Sequence, residues 1–160
     1  MIRFRVEVQG KREFDRAFNR VSAEITDFRT AWANVRAWLK MRMRRQFEVE
    51  GAVSKWAALS PAYREWKQIH YPGKKILVRT GNLKESLTDG NADTIDRETA
   101  NSFEYGTRLP YSKFHQDGDL NLPQRKIFDF DENDRQRITK EIQRPLVEIV
   151  RQQGFEVFEF

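Results

Sequence analysis

A row of apolar residues near the start of the chain restricts the fold more than any other feature: Phe14, Phe18, Val21, Ile25, Phe28, Trp32, Val35 and Leu39. The steps between them alternate between four and three residues without a break. In a helix such positions share one stripe, whereas in a strand they would scatter over both faces. The row predicts a single helix over about 11–49, with Gly51 as its stop. At 1.5 Å per residue that helix would run ~55–60 Å. A compact domain of this length has a radius of gyration of only ~15 Å. Such a helix must bend, or carry one end past the core to be covered by another chain.

The 160 residues suit a single domain over 1–160, large enough to bury ~68–70% of its unfolded surface. There is no cysteine, which excludes a disulfide framework and any thiolate metal site. Twelve Phe and four Trp supply enough apolar surface to rule out disorder, and some of them are candidates for an intermolecular face. No apolar run reaches the ~18 residues of a membrane span. The opening "MIRFRVEVQG" alternates apolar and polar residues, which reads as a half-buried strand over 2–8 and not as a signal peptide. Synthesis in the cytoplasm and no membrane partner are expected.

The net charge is +5, and residues 11–49, with ten basic and five acidic residues, account for all of it. Within them "RAWLKMRMRR" carries Arg36, Lys40, Arg42, Arg44 and Arg45 and no acid. A face of that kind attracts phosphate backbones, and it also reads as an ordinary solvated helix face. A sequence-nonspecific nucleic-acid-binding module using residues 36–45 is therefore an alternative reading of the chain.

Further along, Ser60-Pro61 reads as an N-cap and first helical position for a short helix to about Ile69. "ILVRTGNLKESL" begins as a strand and passes into a helical turn that brings Leu83 and Leu87 together. "TIDRET" and "NSFEYG" read as a hairpin. Residues 107–128 hold three turn signals and read as a long irregular loop, of the kind that is functional or ordered by a partner. Asp131 opens a second helix with the stripe Ile138, Ile142, Leu146 and Ile149 and a kink at Pro145. The tail "GFEVFEF" reads as a short strand that could pair with residues 2–8 or with a neighbour's sheet edge. The expected class is α+β: a long N-terminal helix and a C-terminal helix packed on a small, mostly antiparallel sheet.

Within "KFHQDGDL", His115, Asp117 and Asp119 could face one way in an extended segment and hold a metal. Three donors within five residues make no cage without further ligands, and no further ligand is evident. Ser86 or Ser112 could be paired with His115 as a nucleophile, but nothing in the spacing selects either. No Gly-rich phosphate loop or nucleophile elbow is present. The reading is no catalytic residue, no cofactor and no metal. His115 is instead expected to be a hydrogen-bonding hinge tying the loop to a strand. Gly106 and Gly118 would supply backbone conformations closed to other residues, with Pro110 and Pro123 keeping the connection extended.

Four short patterns follow one another over about residues 50–150. Thr80, Gly81, Leu83 and Ser86 form the first, Gly106 and Thr107 the second. Tyr111, His115, Gln116 and Gly118 form the third, with Ser112 where alanine is usual. Pro123 and Arg125 ahead of Phe128 form the last, and Trp56, Leu59, Ser60 and Pro61 stand upstream. In this order the chain resembles the virion morphogenesis family of tailed bacteriophages, which contains tail-completion and head–tail joining proteins. The resemblance implies a non-enzymatic virion component of the neck, assembled in the host bacterial cytoplasm as a ring of identical subunits. Its partners would be itself and other phage neck, connector or tail-tube proteins. The loop about 107–128 would form one interface, and the terminal strand with the helix edge the other. Arg125 would bond a neighbour's carboxylate or carbonyl, or else form an internal salt bridge. Around packaged DNA, Arg36, Lys40, Arg42, Arg44 and Arg45 would line the channel.

Overall fold

In the computed structural model, residues 27–152 are described, together with residues 19 and 154. The expected strand over 2–8, the seam positions Phe14, Phe18, Val21 and Ile25, and the tail 155–160 lie outside the described residues. In chain order the elements are α1 (Arg29–Glu48), α2 (Pro61–His70), α3 (Asn82–Thr88), β1 (Thr94–Glu98), β2 (Phe103–Thr107), α4 (Tyr111–Asp117) and α5 (Glu132–Gln152). This is an α+β arrangement, with a long helix at either end of the described chain and an antiparallel hairpin between them.

The single helix over 11–49 is not found, because Asp27 and Phe28 are not helical. The Phe28 N–H donates to Ala100 O (2.8 Å), and the Arg29 N–H donates to Asp27 Oδ1 (3.0 Å). The first bond ties the chain to the hairpin turn, and the second supplies an acceptor where a helix start leaves donors unpaired. α1 therefore has 20 residues and runs about 30 Å, a length that a domain of this size can cover. Its apolar buried face is Ala31, Val35, Leu39, Met43 and Phe47, so the buried stripe advances by four throughout and departs from the heptad. Trp32 sits at the rim, where its indole N–H donates to Thr99 O (3.0 Å) and its ring stacks on Phe103 at 6.0 Å.

Gly51 ends the helix as expected. Its N–H reaches back to Gln46 O at 3.0 Å, with Glu50 and Gly51 both at positive φ (54° and 97°). A Cβ on Gly51 would lie 2.1 Å from Ser54 O, so the tight reversal admits no side chain there.

The reversal brings Trp56 edge-on to Phe47 at 5.4 Å. Around them the core closes with Met43, Leu83, Leu87, Leu109 and Ile127. α3 and α5 pack on α1, and α3 also carries the hairpin. The hairpin register sets Asp96 opposite Tyr105 and Glu98 opposite Phe103. One face of the hairpin thus presents two carboxylates and two rings. Arg36 of α1 fills that face, bonding Asp96 (2.8 Å) and Glu98 (2.5 Å) and lying 5.2 Å from the centre of the Phe103 ring.

Two further expectations are corrected. Residues 76–79 form no strand: Val78 N bonds Lys75 O (3.0 Å) and Leu77 adopts φ 58°, a left-handed turn that a strand cannot contain. Residues 107–128 are not an irregular loop, since α4 occupies their middle. Pro110 has φ −64° and ψ −30°, so it does not keep the chain extended. It opens α4, a place where its missing N–H costs nothing. α5 starts as predicted at Asp131, whose carboxylate accepts the Asp134 N–H (2.8 Å) while Asp134 accepts the Asp131 N–H (3.3 Å), a reciprocal cap. Pro145 lies within α5 without ending it. No helix among the described residues is long and apolar enough to cross a membrane.

Candidate interaction cleft

Three short segments with positions singled out in the sequence close around one open cavity of about 710 Å³. Residues 58–67 form one wall, residues 77–83 a second and residues 111–125 the third. Each wall has a local reason for its shape. Ser60 caps α2 through its hydroxyl (3.4 Å to the Tyr63 N–H), with Pro61 at the first helical position. Gly81, at φ 100°, opens α3, and its carbonyl accepts the Glu85 N–H (2.9 Å). Gly118, at φ 75°, closes α4, where a Cβ would meet Gln124 N at 3.0 Å. Gly106, by contrast, has no unusual backbone conformation. It lies in β2 opposite Ile95, where a Cβ would meet that side chain at 4.0 Å.

Gln116 and Arg125 hold the third wall in place. The Gln116 carboxamide accepts the N–H groups of Ile127 and Phe128 (both 2.9 Å) and donates to Phe128 O (3.0 Å). Gln116, not His115, is therefore the residue that fastens this segment through its side chain. Arg125 is buried and donates to Ala57 O (2.7 Å) and Ala58 O (3.0 Å). Those acceptors are backbone carbonyls of its own chain, and among the described residues Arg125 forms no internal salt bridge. Its guanidinium joins the third wall to the first.

The remaining motif residues divide between core and rim. Leu83 is buried and forms part of the cavity floor. Ser86 is fully buried, with its hydroxyl 2.9 Å from both Leu83 O and Thr107 Oγ1, and so locks α3 to β2. Ser112 donates to Leu109 O (2.7 Å). Thr80, Tyr111 and Pro123 line the cavity mouth, with Tyr111 edge-on to His115 at 6.3 Å. Nδ1 of His115 is enclosed and has no hydrogen-bond partner among the described residues. Burial, and then the charge of Arg125, push its pKa below the usual imidazole value. The helical course of α4 also turns His115 and Asp117 by about 200° from each other, so the one-sided cluster of His115, Asp117 and Asp119 does not form. Among the described residues no group of three potential ligands is placed to hold a metal ion.

One residue here escaped sequence reasoning. Lys67, on α2, is buried and donates from Nζ to Lys75 O (2.5 Å). Its pKa is lowered by burial and by Arg125, against an opposing pull from Glu50. A lone lysine in "REWKQIH" carries no signal of burial, because only the turn at residues 71–75 brings that carbonyl over it. The cavity lining contains Lys67, Arg79, Arg125 and His115 and no carboxylate among the described residues.

The basic stretch 36–45 is treated differently by the fold. Arg36 is held by Asp96 and Glu98, and Arg44 by Asp89 (2.8 Å). Arg42 is not on a solvated face. It is buried and bonds Asp134 (2.8 Å) and Asp129 O (3.1 Å), since i+3 from Leu39 falls on the side where α5 packs. Lys40 and Arg45 have no ion-pair partner among the described residues.

The model of the phage virion morphogenesis family matches residues 10–147 of the chain. No curated protein and no solved structure matches it.

Proposed function

The chain belongs to the phage virion morphogenesis family, and from that premise we propose that it is a structural protein of the phage neck, acting in tail completion and head–tail joining as the subunit of a ring. Its place would be the virion, after assembly in the host bacterial cytoplasm. Its partners would be further copies of itself and other neck, connector or tail-tube proteins. The observation that carries this reading is where the motif residues fall. Those on the walls and floor of the cleft come from three separate segments and build one concave surface, while polar residues behind that surface fasten the segments together. Ser86 and Ser112 donate to backbone carbonyls, and Gln116 ties down the 127–128 backbone. Such an arrangement supports a shaped binding surface.

The contact with packaged DNA narrows to Lys40 and Arg45, since Arg36, Arg42 and Arg44 already have carboxylate partners. Two such residues per subunit would touch phosphates without sequence preference. The same pairing weakens the reading as a stand-alone nucleic-acid-binding module. Tight DNA binding by the isolated protein, falling steeply with salt, would restore it.

The deciding experiment is a phage that lacks this gene product. Full heads and free tails that do not join, and that join when the purified protein is added, are expected. Joined, infectious particles formed without the protein would refute the proposal.

A further inference from the structure

We infer that the cleft between α2, residues 77–83 and α4 is the seat for residues 155–160 of a second copy of this chain. The inference rests on the self-assembly proposed above and names the two surfaces that meet.

The first observation is a charge left uncompensated. On α1 the arginines Arg36, Arg42 and Arg44 each meet a carboxylate. In the cleft Lys67, Arg79 and Arg125 form no ion pair among the described residues. Lys67 and Arg125 are buried and, among the described residues, bond backbone carbonyls, which satisfy N–H groups without forming an ion pair. Glu50 acts on the Lys67 charge from outside the cleft lining, and no carboxylate acts on Arg125 among the described residues. Burial holds the pKa of both below its ordinary value. Buried cations are normally paired, so a concave site with two of them, a third at its rim and no acid in its lining among the described residues is shaped for an anionic occupant. His115 Nδ1 is enclosed there as well, without a hydrogen-bond partner among the described residues.

The second observation is the apolar surface between those cations. Leu59, Tyr63, Val78 and Leu83 line the same cavity, whose 710 Å³ lies in the range of ligand-binding clefts. The occupant must therefore be apolar and acidic together. Residues 155–160 read Phe-Glu-Val-Phe-Glu-Phe, with four apolar residues, two acids and no base. Laid out in an extended form, each side of this segment carries one glutamate and two apolar side chains. The segment follows α5, which packs on α1 and contributes no wall to the cleft. A cleft on one subunit filled by a tail from the next is a heterologous contact, the kind that closes rings.

The test uses the full chain and a fluorescent peptide of residues 154–160. Arg79 is exposed and has no ion-pair partner among the described residues, so Arg79→Glu leaves the core alone. Saturable binding of the peptide is expected, weakened about tenfold or more (~1.4 kcal/mol per factor of ten) by Arg79→Glu and by replacing both glutamates with glutamine. In sedimentation, Glu156→Lys with Glu159→Lys should dissociate the assembled protein, and excess free peptide should do the same. Self-association that survives both perturbations overturns the inference. So does a monomeric full chain that does not bind the peptide, the result expected where a chain's own tail fills its cleft or nothing of the kind does. Either outcome leaves the particle-joining experiment untouched, so failure of the docking is separable from failure of the neck assignment.

Discussion

Replacing Arg42 with methionine tests whether the ends of the described chain are joined by one buried ion pair. The side chains of Arg42 and Asp134 are 8% and 14% exposed. Arg42 Nε lies 3.0 and 2.9 Å from the two Asp134 oxygens, and its Nη2 also donates to Asp129 O at 3.1 Å. Methionine fills much of the arginine stem's volume, so little is lost in packing. What remains is a carboxylate at the α1–α5 contact without its counterion. Removing one partner of a buried pair costs about 3–5 kcal/mol. Asp134 keeps the Asp131 N–H and slight solvent access, which places the loss at the lower end, about 3 kcal/mol. At ~2–4 °C per kcal/mol for a chain of this length, the melting temperature should fall by about 6–12 °C. Urea unfolding followed by circular dichroism measures the loss directly. Arg42→Met with Asp134→Asn removes both charges, and it should be clearly more stable than the sum of the two single losses. A single-variant loss below about 1 kcal/mol, the range of a solvent-screened pair, or strict additivity in the cycle would refute the reasoning.

Three other outcomes follow from the geometry. Gln116→Leu leaves the Ile127 and Phe128 N–H groups without their acceptor and should cost about 2–6 kcal/mol in urea unfolding, at ~1–3 kcal/mol per buried unpaired group; a near-neutral result would mean that water replaces the carboxamide. Gly51→Ala places a methyl 2.1 Å from Ser54 O at φ 97° and should cost about 3 kcal/mol or more, beyond the ~1–3 kcal/mol of backbone strain alone; wild-type stability would show that the reversal is free to rearrange. His115, whose pKa is lowered by burial and by Arg125, binds its proton more readily unfolded than folded, so its contribution is whole above the unfolded value of about 6.5 and is lost as pH falls through that value towards the folded one. His115→Gln should flatten the stability profile in that window, and an unchanged pH slope would remove the histidine as its cause.

Local signals in the sequence were sound where a residue acts on its own backbone. Ser60-Pro61 opened α2, Gly51 stopped α1 and Asp131 capped α5, because a cap or a left-handed turn needs only its nearest neighbours in sequence. The paired runs at 94–98 and 103–107 formed the expected hairpin for the same reason. The order of the motif residues was enough to place the chain in its family. The reading went astray where the deciding partner lies far along the chain. Phe28 leaves the helical row because its N–H is taken by Ala100, and Pro110, expected to keep the chain extended, opens α4.

The cleft makes the same division plainer. Composition and spacing determined that this chain is α+β, with capped helices, a hairpin and a basic stretch at 36–45. Only the tertiary structure decided which positive charges are compensated. Arg42 looked like a solvated residue and is paired inside the fold; Lys67 gave no sign of interest and lies buried beside Arg125. The reason is physical: burial and charge pairing belong to the meeting of segments, with Arg42 and Asp134 separated by 92 residues. No local pattern records which side chains such a meeting will bring together.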